Sequence, residues 1–128
     1  SEQEMMRMRL SESLQAVISQ RLIPTQDGKG RIAACEIMRV TGTIRDCIKD
    51  PGRLDEVYDL IEEGREQYGT QTFDQHLMDL VRAEKVTFEV AKSAANKPTD
   101  FDLKMNTFGA PSSGSDMMNA DMNQYFGN

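Results

Sequence analysis

The segment Asp27-Gly28-Lys29-Gly30 combines glycines with a lysine, the residue types that cradle a phosphate when backbone N–H groups encircle it. A phosphate loop of the form Gly-x-x-x-x-Gly-Lys-Ser/Thr opens a helix. Here Lys29 lies between the glycines and Arg31 comes next, so the segment reads as a hairpin turn. The acidic group Asp55, Glu56, Asp59, Glu62, Glu63 and Glu66 could in principle hold a cation or supply an acid/base pair. It lacks calcium-loop spacing and reads as a solvated helix face. His76 is the sole histidine, and Cys35 and Cys47 are far apart with no histidine beside them. Metal sites and triads need several groups converging on one point, so the cysteines read as spectator thiols of a reducing compartment. No Gly-x-Ser-x-Gly, paired histidines or Cys-x-x-Cys is present, and no catalytic, cofactor-binding or metal residue is assigned.

The elements around these residues emerge from periodicity. Met6, Leu10, Leu14, Val17 and Ile18 place one helical stripe against a core up to about residue 16. No capping residue precedes that helix, as if it were entered partway along a longer polypeptide. Val17–Pro24 and Arg31–Val40 are β-branched-rich strand candidates, and the Asp27-Gly28 turn between them makes them antiparallel neighbours. Neither alternates cleanly, which predicts that both faces of the hairpin are covered and that it belongs to a larger sheet, not all of which is in this chain. From Thr41 the pattern is helical. Ile44, Cys47 and Ile48 form a stripe that Asp50-Pro51 stops, and Asp50 caps the next helix with Pro51 at its first position. That helix buries Leu54, Val57, Tyr58 and Ile61 and ends near Gly64. Thr72-Phe73-Asp74-Gln75 is a capping box ahead of the stripe Phe73, Leu77, Leu80 and Val81. Thr87 caps a further short helix, with Val86 and Ala91 placed as a hydrophobic staple. Beyond Asn96 the composition turns to Asn, Ser, Gly, Asp and Met, which predicts a flexible tail in which Phe101, Leu103 and Met105 could dock as a short extended piece.

A length of 128 residues, 38% of them hydrophobic, allows one domain with a modest core, or a domain and a tail. The net charge of -6 repels phosphate backbones and argues against nucleic acid or anionic membrane as a partner. No apolar run is long enough to cross a bilayer and no signal segment opens the chain, so the expected location is cytoplasmic. These patterns alone define a small acidic α+β unit. On them a stand-alone acidic protein-interaction module without catalysis is one reading, and a part of something larger is the other.

Longer segments favour the second reading. Leu10-Ser11-Glu12-Ser13-Leu14-Gln15-Ala16-Val17-Ile18-Ser19-Gln20-Arg21-Leu22-Ile23-Pro24, then Asp27-Gly28-Lys29-Gly30-Arg31-Ile32-Ala33-Ala34-Cys35-Glu36-Ile37-Met38, resembles the end of the RecA-like core of PilT-type twitching-motility ATPases. Thr43-Ile44-Arg45-Asp46-Cys47-Ile48-Lys49-Asp50 falls where that family carries its AIRNLIRE helix, associated with pilus retraction. Ile44, Arg45 and Ile48 are identical to that motif, while Thr43, Asp46, Cys47, Lys49 and Asp50 depart from it. Tyr68-Gly69-Thr70-Gln71-Thr72-Phe73-Asp74-Gln75 is similar to the family's Gly-x-Gln-Thr-(Leu/Phe)-Asp-Gln stretch, and Ala95-Asn96-Lys97-Pro98-Thr99-Asp100-Phe101 to its closing segment. The likeness spans about residues 3–105.

The resemblance implies an α+β fold in three parts. Residues 1–40, a helix and β-hairpin, would end a RecA-like core; residues 41–95 would form a small helical subdomain, and residues 96–128 a disordered tail. It implies the C-terminal portion of a hexameric type IV pilus retraction motor, cytoplasmic and peripheral to the inner membrane, coupling ATP hydrolysis to pilus disassembly. ATP and Mg would serve the full-length protein, with no cofactor in this part, because the family's Walker and His/Asp boxes lie upstream and the charge-stabilising groups of phosphoryl transfer are absent here. Partners would be the other subunits of the homo-hexamer and inner-membrane pilus base proteins, with no nucleic acid and no membrane insertion. By position in the AIRNLIRE-like segment, Ile44, Arg45, Asp46, Ile48 and Lys49 are the candidate partner or subunit contacts. Ile44, Cys47 and Ile48 share the core-facing stripe, and Arg45 is the first choice for a functional contact because its five-donor fork suits partner recognition.

Overall fold

The computed structural model describes residues 1–108. An N-terminal helix, α1 (Glu2–Ser13), leads into an antiparallel hairpin of β1 (Ala16–Pro24) and β2 (Arg31–Arg39). Five helices and two short turns of helix come after the hairpin: α2 (Gly42–Lys49), a 3-10 turn (Pro51–Arg53), α3 (Glu56–Glu63), the single-turn α4 (Arg65–Tyr68), α5 (Phe73–Arg82), α6 (Phe88–Ala94) and α7 (Pro98–Phe108). The hairpin register pairs Ile23 with Ile32 and Ala16 with Arg39. Its turn is closed by Asp27, whose carboxylate accepts from Thr25 Oγ1 at 2.6 Å and from the Lys29 N–H at 2.9 Å, while Gly28 takes the left-handed φ of 72°.

Local capping signals set the helix starts. Thr41, Thr72 and Thr87 accept from the N–H groups of Ile44, Gln75 and Val90, and Asp50 accepts from Gly52 with Pro51 in the first position of its turn. Gln75 completes the capping box by accepting from the Thr72 N–H at 3.0 Å. The main core gathers Ile23 and Ala34 of the hairpin with Phe73, Leu77, Met78 and Leu80 of α5, Val86 and Ala91, and Phe101 and Met105 of α7.

Several expectations are corrected. The composition predicts a tail from Asn96, yet Pro98–Phe108 is a helix whose Phe101 and Met105 are buried. One turn of helix brings residues four apart onto one face, and Phe101 stacks on Phe88 with ring centroids 5.9 Å apart, burial that offsets the ordering cost. The remainder of the expected tail lies outside the described residues. The helix start does have a cap: Ser1 accepts from the Glu4 N–H and Glu4 reaches back to the terminal ammonium, a capping box. The α1 stripe does not meet a core, for Met6 is 70% exposed and Leu10 is open, with only Ser11 buried. The rest of the larger sheet expected around the hairpin is not among the described residues. Ile18 and Leu22 of β1 stand exposed in a two-stranded sheet, because the helices cover β2 and only part of β1. Leu54 lies between the 3-10 turn and α3 and is exposed rather than buried.

Candidate functional site

The AIRNLIRE-like segment folds as α2, fixed at its start by Thr41 and stopped before Pro51. Ile44 and Cys47 are buried, Ile48 is half-buried, and Asp46 and Lys49 are exposed. A helix turns its buried positions three and four residues apart onto one face, so the exposed pair forms the outer face of α2. Ile44 at 2% exposure is used within the chain. Arg45 is half-buried, and its Nε donates to the Ser11 carbonyl in the last turn of α1 at 3.0 Å. Cys47 Sγ lies 3.6 Å from Glu56 Oε2, which also accepts from Arg53 Nε at 3.1 Å. Burial pushes the Cys47 thiol above its usual range, as does the neighbouring carboxylate, with Arg53 opposing.

Beside the start of α2 lies a cleft of about 390 Å³ lined by Arg39, Thr41, Ile44, Leu60, Gly64 and Tyr68. Arg39 Nη1 donates across it to the Tyr68 carbonyl at 3.0 Å, so the one cation among those six is engaged with the chain itself. The Asp27–Gly30 turn does not fit a nucleotide. Its own Asp27 carboxylate occupies the Lys29 amide that a phosphate would need, and the carboxyl is held below the usual range mainly through Thr25. Among the described residues no group of three or more His, Cys, Asp or Glu could hold a metal ion.

The Tyr68–Gln75 stretch joins three parts of the molecule. Gln71 exchanges backbone hydrogen bonds with Ile37 at 2.9 and 3.1 Å, and its side-chain amide donates to the Cys35 carbonyl at 2.9 Å. His76 Nδ1 accepts from the Cys35 N–H at 2.8 Å, so this side of β2 is closed by the head of α5. Thr70, buried, donates to the Ile61 carbonyl, and Gln75 Nε2 to the Glu62 carbonyl, tying in α3. Asp74 accepts from the Asn96 and Lys97 N–H groups ahead of α7. Lys97 Nζ stands 4.3 Å over the Tyr58 ring, and burial pushes the Tyr58 hydroxyl up to about 12. The sequence disclosed the capping box here but not the roles of Gln71, Asp74 and His76, whose partners lie 22–41 residues away. The family-like Gln-Thr-Phe-Asp-Gln string was the available signal.

The N-terminal helix, the hairpin and the helices that follow match the C-terminal part of a PilT-like ATPase. A crystal structure of the pilus retraction motor PilT with bound ADP superposes at a TM-score of 0.62 with 35% identity, covering 76% of this chain and 26% of that one. No family model matches the chain. It is 40% identical over 94 residues, 73% of its length, to a twitching motility protein of Neisseria gonorrhoeae, and 42% identical over 100 residues, 78% of its length, to the type IV pilus retraction ATPase PilT of Pseudomonas aeruginosa. The chain spans 25% and 28% of those two proteins. In sequence and in fold alike it resembles the C-terminal part of PilT-type twitching-motility ATPases.

Proposed function

We propose that this chain is the C-terminal portion of a hexameric type IV pilus retraction motor, coupling ATP hydrolysis in a preceding core to pilus disassembly. The observation that carries the reading is the ordered likeness of most of the described chain to pilus retraction ATPases in sequence and fold. The open surfaces agree with it. Met6 and Leu10 on α1 and Ile18 and Leu22 on β1 are exposed, and among the described residues β1 pairs only with β2, apolar surface that a preceding core would cover. Residues 1–40 then end the core, and residues 41–95 form the coupling subdomain, with α7 packed into the same core as α5 and Ala91 of α6. Asp46 and Lys49 face outward on α2 and are the available contacts for a neighbouring subunit or a pilus base protein. The working location is the cytoplasmic side of the inner membrane, and among the described residues no helix is long and apolar enough to cross a membrane. ATP and Mg belong to the full-length protein on this reading, which rests on the likeness to pilus retraction ATPases; the 128 residues contain no Gly-x-x-x-x-Gly-Lys-Ser/Thr run.

The test is made on the complete gene product. It should read out a Walker A stretch ahead of Glu2, assemble as a hexamer by mass photometry and hydrolyse ATP with Mg, while the 128-residue chain alone does not. A full-length product that is a monomer without ATPase activity would sink the reading.

A further inference from the structure

We propose that Arg45 is a positioning residue, a pin that holds α2 to the end of α1 so that the two helices move as one body. The inference deepens the motor reading and rests on it for its functional meaning, but the pin itself is a property of this chain. A helix leaves its last carbonyls without intrahelical partners and carries partial negative charge at that end. The last turn of α1 has no basic residue of its own, and Arg45, 34 residues later, supplies both the donor and the charge through Nε to the Ser11 carbonyl at 3.0 Å. Ser11 is wholly buried at the contact, its hydroxyl turned back to the Met8 carbonyl at 2.6 Å, so a small side chain admits α2 close to α1. Across the same pair of helices the exposed stripe of α1 contributes no burial. The α1–α2 join rests on this charge-assisted bond, on packing around Ser11 and on the Val40 N–H, which donates to the Gln15 carbonyl at 2.9 Å between the two helices, whereas the hairpin is joined to α5 and the stretch ahead of it by several separate bonds. In the motor, a shift of α1 with nucleotide state would carry α2 and its outer Asp46 and Lys49 with it.

The experiment uses the 128-residue chain without nucleotide or pilus, so its failure is distinct from failure of the motor reading. In a nitrogen-15 spectrum the Arg45 Nε–H should exchange with water about tenfold or more slowly than that of exposed Arg9 on α1. Spin labels at Glu12 and Lys49, in a Cys35→Ser background, should give a narrow distance distribution that broadens in Arg45→Ala and narrows again in Arg45→Lys. Equal exchange of Arg45 and Arg9, or an unchanged distribution in Arg45→Ala, overturns the pin. Should Arg45→Ala fail to fold, the exchange comparison in the unsubstituted chain decides alone.

Discussion

The Asp74 carboxylate accepts the Lys97 backbone N–H at 2.9 Å, and its other oxygen takes the Asn96 N–H at 2.8 Å. One buried side chain at the head of α5 thus anchors the entrance to α7. Replacing it with alanine leaves two N–H groups without their charged acceptor. Asp74→Ala should cost about 3 kcal/mol, with Asp74→Asn recovering part, measured by urea unfolding. Loss of Phe101 packing, seen as increased proteolysis within α7, should accompany it. No change in either would show that α7 is held without this contact.

Gly64 sits where α3 gives way to α4, and an added Cβ would meet Thr70 Oγ1 at 2.8 Å and the Leu60 carbonyl at 3.1 Å. Thr70 cannot withdraw without giving up its 2.7 Å bond to the Ile61 carbonyl. Gly64→Ala should therefore destabilise by about 2 kcal/mol despite the better helix propensity of alanine. Thermal melting of the single variant, and of Gly64→Ala with Thr70→Ala, which removes the clashing hydroxyl, checks it. Unaltered melting of the single variant counts against this packing.

Cys47 is fully buried and Cys35 only partly so, and burial raises the Cys47 thiol above its normal range. Iodoacetamide at about pH 8 should modify Cys47 on the order of tenfold more slowly than Cys35 in the folded chain, and at similar rates in denaturant. Mass spectrometry of the two peptides reads both rates. Faster reaction at Cys47 would mean that α2 opens readily.

Asp27 is held below its usual carboxylate range, first by Thr25 and then by the Lys29 amide. A carboxyl depressed by folding stabilises the fold at pH above its unfolded value of about 3.9 and loses that contribution as pH falls through the folded value. The urea midpoint of the natural chain should exceed that of Asp27→Asn at neutral pH. The gap should shrink as pH drops below about 4. A gap independent of pH would assign the effect to the turn's shape rather than its charge.

What the sequence determined by itself was local. The hairpin turn at Asp27-Gly28, the caps at Asp50, Thr72 and Thr87, and the stop at Pro51 each involve groups within a few residues, so side-chain chemistry and spacing suffice to place them. The stripes of α2 and α5 were legible for the same reason, since periodicity names the face of a helix. It does not name what covers that face. The α1 stripe reads like a core stripe and lies open, while Phe101 and Met105, in a stretch whose composition reads as tail, are buried by packing on Phe88 and α5. Only the tertiary structure brought Arg45 to Ser11, Gln71 to Ile37, His76 to Cys35 and Asp74 to Lys97. Those bonds join groups 23–41 residues apart, and their partners are chosen by how the elements pack, a property no short window of sequence contains.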